Sequence, residues 1–129
     1  MTFNIAPVPA ARPRVTRWST YFPKRYTQFK KDFSLILDTF DVEMAEGLLY
    51  AKLDFFMQIP NSWSNKKKKL KEGAFADNNV DVDNLVKACL DSCEGVFYKN
   101  DKQVAMIRAR KFYSINARIE MELDPLDKI

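Results

Sequence analysis

Leu49-Tyr50-Ala51-Lys52-Leu53-Asp54-Phe55-Phe56-Met57-Gln58-Ile59 is the stretch from which the fold is read. Leu49, Ala51, Leu53, Phe55, Met57 and Ile59 alternate with Tyr50, Lys52, Asp54 and Gln58, the two-residue period of a half-buried strand, and Pro60 ends it. A strand with one apolar face needs a cover. Upstream, Phe29, Phe33, Ile36, Leu37, Phe40 and Met44 recur at helical spacing from Thr27, which serves as N-cap, to Glu46, with Gly47 as a natural stop. Downstream, Asp81 to Gly95 reads as a second amphipathic helix: Val82, Leu85, Val86, Cys89 and Cys93 form one stripe, and Asp83, Lys87, Asp91 and Glu94 another.

The remaining elements fit around these three. Phe3 to Val8 reads as a short strand stopped by Pro7 and Pro9, and a long connection follows from Ala10 to Tyr26. Asn61 to Glu72, with Trp63 and a lysine cluster, reads as a short exposed helix, and Gly73 to Val80 as a mobile loop. After the turn-like Lys99-Asn100-Asp101-Lys102, the segments Val104 to Phe112 and Ala117 to Leu123 read as strands, with pairing as a hairpin expected. The expected fold is one compact α/β domain over residues 1–129, a mixed or largely antiparallel sheet packed by two amphipathic helices, with a basic N-terminal arm at about 10–26.

Composition narrows the chemistry. Hydrophobic residues are 47% and charged residues 29% of the chain, as in ordinary globular proteins. No apolar run is long enough to cross a bilayer, and Met1 to Pro9 lacks the pattern of a secretory signal, so a cytoplasmic location without membrane contact is expected. The chain has no histidine, which removes Ser-His-Asp triads, Cys-His pairs and a histidine base. Hydrolysis would then need carboxylates, lysine or a metal-activated water. Cys89 and Cys93, one helical turn apart, read as small core residues, because nothing is present to complete a zinc site.

Positive charge is concentrated in the arm. Of 21 basic and 17 acidic residues, the first 31 positions hold seven bases (Arg12, Arg14, Arg17, Lys24, Arg25, Lys30 and Lys31) and no acid. Such asymmetry points to a polyanionic partner, with a solvated surface arm as the alternative. Trp18, Tyr21, Phe22 and Tyr26 lie among these bases; arginine and lysine can neutralise phosphates while aromatics stack on unpaired bases, or the rings can instead pin a long loop to the core. Lys66, Lys67, Lys68, Lys69 and Lys71 read either as a solvated helix face or as a source of non-specific DNA affinity.

The candidate chemistry lies in Asp81-Val82-Asp83-Asn84-Leu85-Val86-Lys87. Two carboxylates one residue apart, where a loop enters a helix, can converge if the first is still extended. With a third carboxylate they suit magnesium, which takes oxygen ligands and keeps several waters. The competing reading makes Asp81 an N-cap, Asp83 a favourable charge in the first turn, Lys87 its exposed partner and Asp101 a turn residue.

Asp81-Val82-Asp83-Asn84-Leu85-Val86-Lys87-Ala88, then Asp91, then Asn100-Asp101-Lys102-Gln103-Val104, resembles the signature of the RusA family of Holliday junction resolvases: Asp-x-Asp-Asn-Leu-x-Lys followed by Asp-x-Gln-Val. Arg12-Pro13-Arg14 and Ile59-Pro60-Asn61-Ser62-Trp63-Ser64 with its lysines are similar to phage and prophage members. The pattern departs at Asn100, where some members have aspartate, and at Asn79-Val80, where many have proline or basic residues. The resemblance implies a metal-dependent endodeoxyribonuclease that resolves Holliday junctions in recombination and repair. It implies catalytic Asp81, Asp83, Asp101 and Lys87, with Mg2+ on the three aspartates and Mn2+ as a substitute. Arg12, Arg14, Arg17, Lys24, Arg25, Lys66, Lys67, Lys68 and Lys69 are then the expected DNA contacts. A homodimer on a four-way junction is expected too, since paired nicks in two-fold related strands suit a two-fold dimer. Alternatives are a less selective nuclease for branched or flap DNA, and a non-catalytic DNA-binding module of the same fold.

Overall fold

A computed structural model describes residues 1–126. The decisive stretch forms β4 (Leu49–Gln58), whose residues alternate between buried and half-buried as the period requires. β4 occupies the interior of a four-stranded mixed sheet of order β1-β6-β4-β5. It pairs in parallel with β5 (Val104–Ser114) and antiparallel with β6 (Arg118–Pro125), while β1 (Thr2–Phe3) adds antiparallel to β6.

The expected hairpin between the last two strands is therefore not formed, because β4 lies between them. The connection from Ser114 to Arg118 arches over the end of β4 and is fastened there: Ile59 N–H donates to Ser114 O at 3.0 Å and Gln58 Nε2 to Ile115 O at 3.2 Å. Two strand spacings, about 10 Å, are within reach of that connection. Inserting β4 gives its apolar face hydrogen-bonded neighbours on both edges, which a β5–β6 hairpin would deny it.

A parallel pair needs a crossover, and here it carries α2 (Asn65–Lys71), the 73–80 loop and α3 (Val82–Cys93). α3 and α1 (Lys24–Leu37) cover the apolar sheet face. Phe3, Phe33, Leu53, Phe55, Leu85, Cys89, Cys93 and Ile119 are fully buried, and Phe33 stacks on Phe3 at 4.5 Å between ring centres. The two thiols are free, and burial pushes Cys93 up to about 12. Tyr98 donates its hydroxyl to Leu90 O inside this core.

α1 differs from expectation at both ends. It starts at Lys24, behind Pro23, a position where the missing proline N–H costs nothing; Thr27 lies within the first turn and bonds back to Pro23 O. It stops at Leu37, where Thr39 N–H and Phe40 N–H take the carbonyls three residues back and the Thr39 hydroxyl competes for Ile36 O. Phe40 still packs on Phe3, but Met44 is exposed, and Gly47, at φ 77°, turns the chain into β4 instead of ending a helix. The first strand is shorter than expected, two residues in place of six.

The opposite sheet face is open and charged. Asp54 accepts a bidentate pair from Arg110 at 2.7 and 2.8 Å, Lys52 reaches Asp124 at 2.9 Å, and Arg118 lies 3.7 Å over the Phe56 ring. The 73–80 loop is tied along β5 rather than left free: Gly73 N–H donates to Tyr113 O, Tyr113 N–H to Ala74 O and Ala76 N–H to Lys111 O. Among the described residues no helix is long and apolar enough to cross a membrane.

Phe33→Ala removes a ring buried between two others, and unfolding by denaturant is expected to show a loss of about 3–5 kcal/mol with an unchanged slope.

Candidate active site

Asp81 stands at the threshold of α3 with extended backbone (φ −75°, ψ 130°), and its side chain makes no capping hydrogen bond. The capping reading of this residue thus lacks its defining contact. Asp83 occupies the first turn; both carboxylates are exposed. The approach to Asp81 is held from β5: Lys111 Nζ donates to Val80 O at 2.7 Å and Asn78 O at 3.1 Å, and the Tyr113 hydroxyl donates to Asp77 at 2.7 Å. That hydroxyl is the main reason the Asp77 carboxyl lies below its usual range.

Lys87 follows one turn later. Asn84, Lys87 and Asp91 line a cleft of about 370 Å³ together with the arm (Ala10 to Pro13, Phe22) and Tyr26 and Lys30 of α1. The Asn84 carbonyl accepts from Ala10 N–H at 2.9 Å and ties the arm to α3. Arg12, Lys30 and Lys87 face one acid there, Asp91, a balance suited to an anion.

Asp101 opens a single turn of 3-10 helix (Asp101–Gln103) that leads into β5. Its neighbours form a capping box: Asn100 Oδ1 accepts from Lys102 N–H, and Gln103 Oε1 accepts from the backbone of Lys99 and Asn100. Gln103 Nε2 then donates to Ala45 O and Gly47 O, locking the turn against the entry to β4. Sequence reading missed these roles, although Asn-x-x-Gln is the spacing of such a box.

The structure does not bring the three aspartates together. Asp81 and Asp83 lie at one end of α3 and Asp101 beyond the other, and a helix of 12 residues is about 18 Å long. Among the described residues no group of three or more carboxylates or thiols is placed to hold a metal ion. A single chain offers two carboxylates at one end of α3 and a third far from them.

The expected DNA contacts fall on two surfaces. Arg14 and Val15 (β2) pair with Thr20 and Tyr21 (β3) in a small ribbon, closed by a turn in which Thr16 Oγ1 accepts from Trp18 and Ser19 N–H. Arg12, Arg14, Arg17, Lys24 and Arg25 are all exposed. Trp18 is 86% exposed at the ribbon tip beside Arg17, whereas Tyr26 is 4% exposed and belongs to the core. α2 is capped by Ser64 and carries Lys66, Lys67, Lys68 and Lys69; Lys67 lies 4.0 Å over the Trp63 ring, which packs on Tyr113. Trp63 thus joins the start of α2 to Tyr113, whose hydroxyl holds Asp77, and this places α2 toward the Asp81 end of the molecule.

The family model described as "Endodeoxyribonuclease RusA" matches residues 4–124. The chain is also 30% identical over 104 residues to a protein of Bacillus subtilis (strain 168) described as "Uncharacterized protein YqaN", covering 77% of this chain and 73% of that one.

Thermal and denaturant unfolding distinguish the two acid-bearing turns. Asp81→Ala is expected to change stability by less than about 0.5 kcal/mol, as at a surface position without partners, while Asn100→Ala, which empties a cap, is expected to cost about 1 kcal/mol.

Proposed function

Because the chain belongs to the RusA family of endodeoxyribonucleases, which act on branched DNA junctions, we propose that it is a metal-dependent nuclease that resolves four-way junctions by paired phosphodiester hydrolysis as a homodimer. The observation that carries this reading is the start of α3. There two exposed carboxylates, Asp81 unused as a cap and Asp83, adjoin a basic cleft containing Lys87.

The distance from Asp81 to Asp101 gives the dimer a chemical reason. If Asp101 belongs to the metal site, it comes from the second subunit, so that each site takes Asp81, Asp83 and Lys87 from one chain and Asp101 of the partner subunit. A two-fold dimer then closes two such sites together, one for each strand to be nicked. A hard divalent cation, Mg2+ or Mn2+, held by three carboxylates supplies an activated water and neutralises charge on the phosphate. Lys87, exposed on the cleft side of α3, is assigned to the scissile phosphate.

The basic arm and α2 provide the remaining affinity. The ion pairs of the described residues all lie on the open sheet face, which leaves Arg12, Arg14, Arg17, Lys24, Arg25 and Lys66 to Lys69 without carboxylate partners there. Their charge is available to DNA phosphates.

The first test is single-turnover cleavage of four-way junction, flap, nicked and linear DNA with and without Mg2+. Metal-dependent cutting of the junction in preference to the others is expected; equal cutting of flaps would make this a less selective nuclease, and no cutting of any substrate a binding module. Asp83→Asn and Asp101→Asn are each expected to fold, bind junctions and cut none. Mixing the two inactive proteins under exchange conditions should restore nicking, because one site of the heterodimer has a full set of aspartates; a mixture that stays inactive while heterodimers form would exclude the shared site.

Arg12, Arg14 and Arg17 replaced together by Ala should weaken binding to all DNA forms. They should also flatten the slope of log K against log salt, by up to about 0.9 per lost duplex phosphate contact. An unchanged slope would assign the arm to the fold.

A further inference from the structure

The open face of the sheet carries one aromatic row among its charges. Arg118 of β6 faces Phe56 of β4, Phe56 faces Phe112 of β5, and Phe112 faces Phe75 of the 73–80 loop through an isolated antiparallel bridge. These four side chains form a continuous stack. The Arg118 guanidinium lies 3.7 Å over the Phe56 ring; Phe56 and Phe112 stack at 5.4 Å with 26° between planes, and Phe112 and Phe75 at 5.0 Å with 24°. The two ends of the row differ. Arg118 closes one, fixed by bonds to Asn116 O at 3.0 Å and Ser114 Oγ at 3.3 Å. At the other, Phe75 is 71% exposed, while Phe56 and Phe112 are half-buried. One face of the Phe75 ring lies on Phe112 and the other meets solvent.

Phe75 is held firmly for an exposed residue. Ala76 N–H donates to Lys111 O and Tyr113 N–H to Ala74 O, which brackets Phe75 and Phe112 as a pair without direct backbone bonds, the arrangement in which antiparallel side chains stand closest. β5 also holds the rest of the loop. Lys111 and the Tyr113 hydroxyl fasten Asn78, Val80 and Asp77, so the chain wraps the edge of the sheet from Phe75 on the open face to Asp81 at the head of α3. Six residues span at most about 20 Å, roughly six nucleotide steps along one strand of a duplex. On the other side, α2 with its five lysines ends at Lys71, whose carbonyl accepts from Ala74 N–H. A flat apolar face, fixed at the end of a stack between lysines and an acid-bearing turn, matches a nucleotide, which has a ring to stack and a phosphate to neutralise.

We propose that Phe75 is the stacking site for an unpaired base displaced at a DNA branch, and that it selects branched over fully paired DNA. The base extends the row of Phe56, Phe112 and Phe75 by one ring. A duplex keeps its bases stacked on one another and offers no free ring face, whereas bases beside a crossover can leave their partners. Stacking needs no hydrogen-bond pattern, so the site takes any base. The proposal rests on the nuclease reading above and adds to it a contact that distinguishes substrates.

Photochemical cross-linking tests it. A four-way junction carrying 5-iodouracil at the crossover, irradiated with the wild-type protein in EDTA, should attach to Phe75, as located by mass spectrometry of the digest. Phe75→Leu keeps an apolar contact with Phe112 but has no ring to stack on; Phe75→Trp keeps both. At an unchanged thermal midpoint, Phe75→Leu is expected to bind the junction and oligothymidine about tenfold more weakly, and linear duplex within about twofold of wild type, with Phe75→Trp restoring both. The cross-link needs no variant, so it decides the matter even where Phe75→Leu lowers the midpoint. Cross-links that fall elsewhere, or a Phe75→Leu protein that binds all three DNAs as wild type does, would overturn the stacking site and leave the nuclease reading standing. So would a lower sedimentation mass of Phe75→Leu than of wild type, which would make the ring a contact between copies. Wild type that neither binds nor cuts any of these DNAs would overturn both.

Discussion

Everything in this structure depends on β4 being hydrogen-bonded on both edges in opposite senses, parallel to β5 and antiparallel to β6. Its inward residues Leu49, Ala51, Leu53, Phe55 and Met57 are buried along the whole strand, so it takes the most protected place in the sheet. β6 needs only a short arch to reach its antiparallel side. The parallel side needs a long crossover, and that crossover contains α2, the 73–80 loop and α3, which together hold Lys66 to Lys69, Asp81, Asp83 and Lys87.

The same constraint divides the candidate site. α3 must run back along the sheet from the end of β4 to the beginning of β5, so its first residue and the turn that precedes β5 are at opposite ends of the molecule. Both ends are built firmly: Lys111 and Tyr113 hold the approach to Asp81, and Gln103 locks the turn bearing Asp101 to the entrance of β4. The two acid-bearing turns are thus supported separately, at distant points of the molecule.

Charge is sorted in the same way. On the open face of the sheet, bases and acids neutralise one another across neighbouring strands, as Arg110 with Asp54 and Lys52 with Asp124. The arm and α2 have no such partners among the described residues, and the arm is fastened to α3 by the bond from Ala10 to Asn84. The bond to Asn84 places the arm's positive field beside the start of α3.

By itself, the sequence determined the family, the α/β class, the two covering helices and the strand at Leu49 to Ile59, because periodicity, residue type and motif spacing are local properties. Its hairpin between the last two strands failed because pairing depends on which strand competes for an edge, and β4 competes from more than fifty residues away. The helix end at Leu37 in place of Glu46 was set by Thr39 and by contacts to Phe97 and Tyr98, and Phe40 and Met44 kept helical spacing without a helix. Among the arm aromatics only the packed structure sorted Tyr26 into the core and Trp18 into solvent. The motif marked three aspartates as one group, but the direction of α3 decided where each stands, since a parallel strand pair obliges the connecting helix to carry its two ends apart.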